Sequence, residues 1–234
     1  AYCDFSRFFD RGETVTRDKY LLANDIIVIG IESYSDGHLK LMYPYSEGEL
    51  VNAEYMPEWE GRTGVLSLDG TGQGMNVGKE TMNPTDKWTF HTWIYIEKWT
   101  PGAYILKKES ADNLNGVSIR LGETPGEAGQ LIVRCNGQDF PMATNTATAI
   151  STGKWCHIGV YANVQNANQL ERTFTFVVDG NQAFGVKGSC GSELVSYTPS
   201  GVDNVDAIIG ENLKAKLDET AIWDVSFSRN EFFS

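Results

Sequence analysis

The sequence is short of several things, and each shortage excludes something. No run reaches the roughly 18 apolar residues of a membrane span, so no helix of that kind is expected. Positive charge is scarce: 19 Lys and Arg stand against 31 Asp and Glu, a net charge of −12. That balance argues against nucleic acid, whose phosphates it would repel, and against an anionic membrane surface. It is compatible with neutral glycans, with cations and with plain solubility. There are 4 cysteines, Cys3, Cys135, Cys156 and Cys190, and no CxxC pair, so a zinc site is not expected. Two disulfides in any of the pairings that four cysteines allow would fit. So would four isolated thiols, two of them in apolar strands. The histidines, His38, His91 and His157, are scattered. There is no HExxH and no GxSxG nucleophile elbow. No strand carries acids at alternate positions, the spacing that would set a general acid beside a nucleophile on one face. Asp218 and Glu219 are adjacent, so strict alternation sends them to opposite faces. The chain is therefore expected not to be an enzyme. It shows no helical pattern longer than about two turns, no repeat and no low-complexity tract.

What the sequence has in quantity is strand signal. Hydrophobic residues make up 41% of 234, enough for one large all-β domain or one domain with an added lobe. Residues 1–20 are aromatic and mixed in charge, and read as a short helix or a docked arm. The run 25-DIIVIGIES-33 reads as a buried strand, with 38-HLKLMYPY-45 as its hairpin partner across Ser35-Asp36-Gly37. The stretch 46–64 reads as loop, because it carries Gly48, Pro57, Gly61 and Gly64. Residues 1–62 are thus expected as an N-terminal extension, either further strands of one sandwich or a small separate lobe. From residue 63 or 64, strands recur at sandwich spacing. Strands are predicted over 64–78, where a glycine-rich turn divides two of them, and over 88–99 and 103–110. A loop at 111–116 follows, and then strands at 117–122, 129–137 and 153–164. A hairpin turns at Asp179-Gly180. The closing stretch 207-AIIGENLKAKLDETAIWD-224 reads as a short strand, a turn and a longer strand. Alternation there puts Asp218, Thr220 and Ile222 on one face and Leu217, Glu219, Ala221 and Trp223 on the other.

The order of these motifs resembles laminin-G-like, concanavalin A-like jelly rolls from residue 64 to about 232. LSLDGTGQGMNV matches the opening element, WTFHTWIYI the aromatic second strand and AYILKKES the next. TGKWCHIGVYANV matches the strand that usually reads GxWxHVAVTYDG, TFTFVVDGNQAF matches LYVDG, and LDETAIWD matches IDEVRIW. Three departures stand out. Cys156 replaces an aromatic or apolar residue, the segment 162–172 is long, and 62 extra residues lie in front. The resemblance implies an all-β fold, a two-sheet antiparallel jelly-roll sandwich at 63–234 with an N-terminal β extension.

The resemblance also implies a function, a non-catalytic extracellular or cell-surface module that binds a glycan or glycoprotein. Sugars stack on aromatic rings, and polar side chains read their hydroxyls. Aromatics make up 12% of the chain. Trp93, Tyr95 and Trp99, with Tyr104 nearby, fall outside the expected core, as do Trp59, Tyr55 and Tyr45. The residues expected to contact a ligand are Trp99, Trp59, Tyr95 and Tyr104. Trp88, Phe90, Trp155, Phe174 and Phe176 sit at matched core positions and are set aside. Calcium is the ion the resemblance suggests, because many jelly rolls hold one. Asp218 matches the family's acidic position, Asp69 lies in the opening turn, and Asp112 joins Glu109, Asn113 and Asn115 in an oxygen-rich loop. The bland alternative is that Asp69 caps a turn, Asp218 accepts backbone N–H groups and the loop is merely solvated. Two rival functions remain open. One is a structural subunit packing against copies of itself, with an N-terminal strand added to a neighbour's sheet. The other is a glycan-active hydrolase. The chain starts at Ala1 rather than Met, so a removed leader or an excised piece is expected.

Overall fold

The structure, a computed structural model, describes residues 20–23, 26–29, 39–42, 49–72, 74–79, 87–124, 128–143, 145, 147–163, 174–185, 199–223 and 226. The described chain is strand and turn, with no helix. In order, the strands are β1 (Tyr20–Ala23), β2 (Ile26–Ile29), β3 (Leu39–Met42), β4 (Glu49–Leu50), β5 (Ala53–Trp59) and β6 (Arg62–Asp69). Then come β7 (Met75–Gly78), β8 (Lys87–Lys98), β9 (Tyr104–Glu109), β10 (Gly116–Leu121), β11 (Leu131–Cys135) and β12 (Gln138–Pro141). The last are β13 (Trp155–Asn163), β14 (Phe174–Val178), β15 (Asn181–Phe184), β16 (Ala207–Glu211) and β17 (Lys214–Trp223).

Two antiparallel sheets carry the fold. One runs β12-β11-β10-β9-β16-β7-β4; the other runs β15-β14-β13-β8-β17-β6-β5, with β3 pairing β17 beside it. Alternation fixes what each sheet buries. From β8, Trp88, Phe90, Ile94 and Ile96 point inward; β13 adds Cys156, Ile158 and Val160, and β14 adds Phe174 and Phe176. The opposite sheet answers with Leu106, Val117, Ile119, Leu131, Val133 and Ile209 in one continuous core. Cys135 and Cys156 belong to this core as buried thiols, one from each sheet. Burial pushes each thiol up to about 12, which makes both poor nucleophiles. Cys3 and Cys190 lie outside the described residues.

The two-sheet expectation holds, while three local readings change. The described part of the stretch expected as loop, residues 49–64, is mostly strand. It forms β4 and β5, and β5 pairs β6 across a turn in which Glu60 (φ 46°) and Gly61 (φ 77°) are both left-handed. Two consecutive positive φ values suit the right-handed twist of a tight hairpin. Asp179-Gly180 (φ 45° and 83°) and Asn136-Gly137 (φ 45° and 77°) close hairpins in the same way. Pro57 is tolerated because β5 is the last strand of its sheet among the described residues, so its N–H side is not required by a further described strand. The second change concerns the hairpin expected between 25–33 and 38–45. Instead β2 pairs β1, and β3 pairs β17 through Ala221↔Met42 and Ile222↔Leu41. The third change is in β17. Asp218 sits opposite Trp93 and Ala221 opposite His91, so three residue steps of β17 span two of β8. This bulge places Glu219 at φ 49° and ends the alternation expected for the strand.

Candidate functional site

Two breaks in strand regularity build a cluster on the outer face of the sheet that contains β8. The first is Gly64, at φ 74°. Leu66 and Leu68 of β6 face the core, and unbroken alternation would send Arg62 there too. Glycine adopts positive φ without steric cost, so the tip of the β5–β6 hairpin can turn outward here. Arg62 then reaches the outer face, where its guanidinium carbon lies 4.2 Å from the Trp93 ring centre and 4.8 Å from that of Trp155. Arg62 Nη1 donates to Asp218 Oδ2 at 2.5 Å. Trp59, across the turn, meets Tyr95 edge-on at 4.7 Å and Trp155 at 5.7 Å, and Tyr95 meets Trp155 at 5.9 Å. Trp59, Trp93, Tyr95 and Trp155 are all part-exposed.

The second break is the bulge in β17. The Glu219 backbone N–H donates to Asp218 Oδ1 at 2.9 Å. Thr92 Oγ1 donates to the Asp218 carbonyl at 3.1 Å and lies 2.7 Å from Thr220 Oγ1, so the extra residues are satisfied from within. Burial raises the Asp218 carboxyl above its usual range, and the Arg62 hydrogen bond pulls it partly back. Glu219 is raised by burial and then by the Asp218 charge, with Arg62 and a hydrogen bond from Trp93 opposing. Strict alternation placed these acids on opposite faces. The left-handed backbone at Glu219 instead brings both beside Arg62 and Trp93.

Further along the face, Lys216 Nζ lies 2.9 Å from Ser67 Oγ, 3.0 Å from Glu97 Oε1 and 5.8 Å from the Trp59 ring centre. At the other end, His157 lies 5.2 Å from the Trp93 ring and 5.7 Å from His91. Burial holds His91 down to about 3, with His157 adding to it. Burial also holds His157 down to about 4, where Asp179 opposes and Arg62 assists. Both imidazoles are therefore neutral at pH 7.

The expected ligand residues divide between places. Trp59 and Tyr95 meet in this cluster. Tyr104 lies in the other sheet, with Lys107 Nζ 4.6 Å over its ring and Lys107 paired to Glu211 at 2.6 Å. Trp99 packs against the core, and its Nε1 donates to the Gly122 carbonyl at 3.4 Å. Trp155 was assigned to the core, but it pairs in register with Tyr95 and shares its outer face. The signal for it was present: counting back from the buried Cys156 puts Trp155 outside. Arg62 could not be found that way, since its placement depends on the φ of Gly64.

The three expected calcium ligands lie in separate elements, each with its own partners. Asp69 Oδ1 accepts from the Thr71 backbone N–H at 2.7 Å and from Thr71 Oγ1 at 2.8 Å, which caps a turn. Asp112 Oδ1 does the same with Ser110 Oγ at 2.5 Å and the Leu114 N–H at 3.0 Å. Asp218 is bonded to a guanidinium, which a metal cation would have to displace. Among the described residues, no three His, Cys, Asp or Glu side chains gather into a group that could hold a metal ion. A calcium ion at any of these carboxylates would have to compete with the protein donors already bonded to it.

Two packed antiparallel sheets with this connectivity define a jelly-roll protein. A family profile for the concanavalin A-like lectin/glucanases superfamily, of the laminin-G type, matches residues 69–232. The chain belongs to that family. A search of curated proteins finds no matching sequence. Among solved structures, the chain is similar to domain 4 of AbnA, an extracellular arabinanase from Geobacillus stearothermophilus, solved with arabinotriose. The TM-score is 0.56 at 13% identity, over 84% of this chain and 97% of that one. It is also similar to the binding domain of botulinum neurotoxin DC. The complex of that domain with SialylT gives a TM-score of 0.53 at 14% identity, and the complex with rat synaptotagmin II gives 0.56 at 15%. Those two matches cover 92% of this chain and 50% of theirs, so the chain spans about half the length of the neurotoxin domains. At these identities the likeness is one of fold.

Proposed function

We propose that the chain is a non-catalytic recognition module for carbohydrate, working outside the cell or at its surface, and that the outer face of β5, β6, β17, β8 and β13 is its binding surface. One observation carries this reading. Four part-exposed aromatic rings, Trp59, Trp93, Tyr95 and Trp155, converge on that face and are interleaved with Arg62, Lys216, Glu97 and Ser67. Rings supply the apolar contact that a pyranose face needs, and the charged and hydroxyl groups supply donors and acceptors for its hydroxyls. Trp59, Tyr95 and Trp155 brace one another edge to face, and Trp93 lies against Arg62, so little side-chain freedom is lost on binding. The ligands bound to two structural neighbours, arabinotriose and SialylT, support the same class of ligand. The test is a glycan panel on wild type and Trp59→Ala. Binding by wild type and its loss in the variant would support the proposal, and no binding across neutral and acidic glycans would end it.

The β17 bulge gives a hydrolase reading its one favourable observation, two carboxyls of raised proton affinity near one another. Against it, Asp218 is held by Arg62 at 2.5 Å, and its neighbour in sequence would have to serve as the second acid. Glycan turnover that is lost in Glu219→Gln would favour the enzyme.

A further inference from the structure

Charge on the aromatic face is committed internally. Arg62 pairs Asp218 at 2.5 Å, and Lys216 pairs Glu97 at 3.0 Å. Among the described residues, these two cations are the ones packed against the rings of this face, and they face three carboxylates once Glu219 is included. The two histidines beside Trp93 add no positive charge at neutral pH. The opposite sheet repeats the pattern: Lys107 pairs Glu211, Arg134 pairs Asp139, and Arg120 pairs Asp139 and Glu123. The molecule as a whole carries −12. A guanidinium lying against indole rings is an apt receptor for a carboxylate. Here that receptor already holds one, supplied by the chain itself.

Resting on the carbohydrate reading above, we propose that this face selects neutral over acidic saccharides, and that Asp218 and Glu97 are the specificity-determining residues. Asp218 occupies the anion position of Arg62, and Glu97 does the same for Lys216. A uronate, sialate or sulfate group approaching the rings would find both cations neutralised, and would meet like charge from Asp218, Glu219 and Glu97. Selection of this kind works by repelling the wrong ligand as well as by contacting the right one. A neutral sugar pays no such cost, and its hydroxyls can share the lone pairs and N–H groups that the ion pairs leave over.

The experiment titrates matched pairs of oligosaccharides, neutral and with one sialic acid or uronic acid, into wild type, Glu97→Gln and Asp218→Asn. Wild type should bind the neutral member and favour it by at least about tenfold, with little dependence on salt. Each variant should narrow that preference, because a cation is released from its internal partner. Glu97 is part-exposed and tests the idea even if Asp218→Asn fails to fold. A wild-type preference for the acidic member, weakening as salt is added, would overturn the selection while leaving carbohydrate binding intact. An unchanged preference in a folded Glu97→Gln would remove its assigned role. Absence of binding to either member would instead bring down the carbohydrate reading on which the inference rests.

Discussion

Arg62 and Asp218 stand 156 residues apart in the chain and 2.5 Å apart in space. The pair ties the tip of the β5–β6 hairpin to the bulge of β17, so it joins the two irregularities that form the cluster. Its side chains are 21% and 9% exposed, which places it between a surface pair and a buried one. Removing Asp218 would leave a guanidinium against two indoles without its anion. Asp218→Ala should cost about 2–3 kcal/mol, below the range for a fully buried pair because Arg62 is partly wet. Urea unfolding measures this. A double-mutant cycle with Arg62→Met should recover part of the loss, and a strictly additive cycle would show the two to be uncoupled.

Gly64 is the backbone hinge of the same arrangement. Its φ of 74° strains any residue that carries a Cβ. Gly64→Ala should lower stability by about 1–2 kcal/mol and also displace Arg62 and Trp59 from the outer face. Glycan affinity should therefore fall in a variant that still folds, by circular dichroism. Unchanged affinity would mean that Gly64 does not direct the hairpin tip.

The buried histidines set the acid limit of the fold. Each has a folded-state affinity for protons below that of the unfolded chain, about 3 for His91 and about 4 for His157 against an ordinary 6.5. The unfolded state thus binds more protons below pH 6.5, and stability falls as pH drops from there toward 4. The slope is at most about 1.4 kcal/mol per pH unit for each histidine. Asp218 and Glu219 are shifted upward and act with the opposite sign, favouring the folded state as they take up protons, so they soften the slope. Chemical denaturation at several pH values should show the loss between 6.5 and 4, and His157→Gln should reduce it. A flat profile in that window would contradict neutral burial of the two rings.

A chelator tests the metal question. Asp69, Asp112 and Asp218 each hold protein donors, in three separate elements. The melting temperature in EDTA should therefore match that in calcium, since a ligand raises it only by binding the folded state. A clear drop in EDTA that disappears in Asp218→Asn would put a cation where the structure puts Arg62.

Some of this was legible in the sequence and some was not, for identifiable reasons. The β14–β15 hairpin announced itself through Asp179-Gly180, and the inward residues of β8 through alternation. Those signals are local. Strand β5 was hidden because Pro57 and its flanking glycines read as loop, and only a position at the sheet edge makes proline acceptable. Trp59 and Tyr95 were picked as aromatics outside the expected core. Trp93, Tyr95 and Trp155 share a face through alternation and register, and what brings Trp59 and Arg62 to them, and Glu219 beside Asp218, is the positive φ of Gly64 and of Glu219. No periodicity encodes those two angles; the pairing of distant strands selects them. Alternation therefore predicts well until a bulge occurs, and here a bulge lies at the cluster itself.

Assembly with copies of itself remains testable on the same grounds. Among the described strands β5 forms an edge, and exposed Glu54, Pro57 and Glu58 lie along it. Charge and proline on an edge strand discourage further strand addition. Elution volume should not change with protein concentration through that edge. If a concentration-dependent species does form, Glu54→Thr with Glu58→Thr should increase it.

The most direct measurement is calorimetric titration of a neutral oligosaccharide drawn from the glycan panel, on wild type, Trp59→Ala and Tyr104→Ala. Trp59 lies in the proposed surface, and Tyr104 lies on the opposite sheet. Trp59→Ala should lose at least about 1 kcal/mol of binding free energy, the level at which an interface residue matters, and Tyr104→Ala should bind as wild type does. Full affinity in Trp59→Ala together with loss in Tyr104→Ala would contradict the account and move the site to the other sheet.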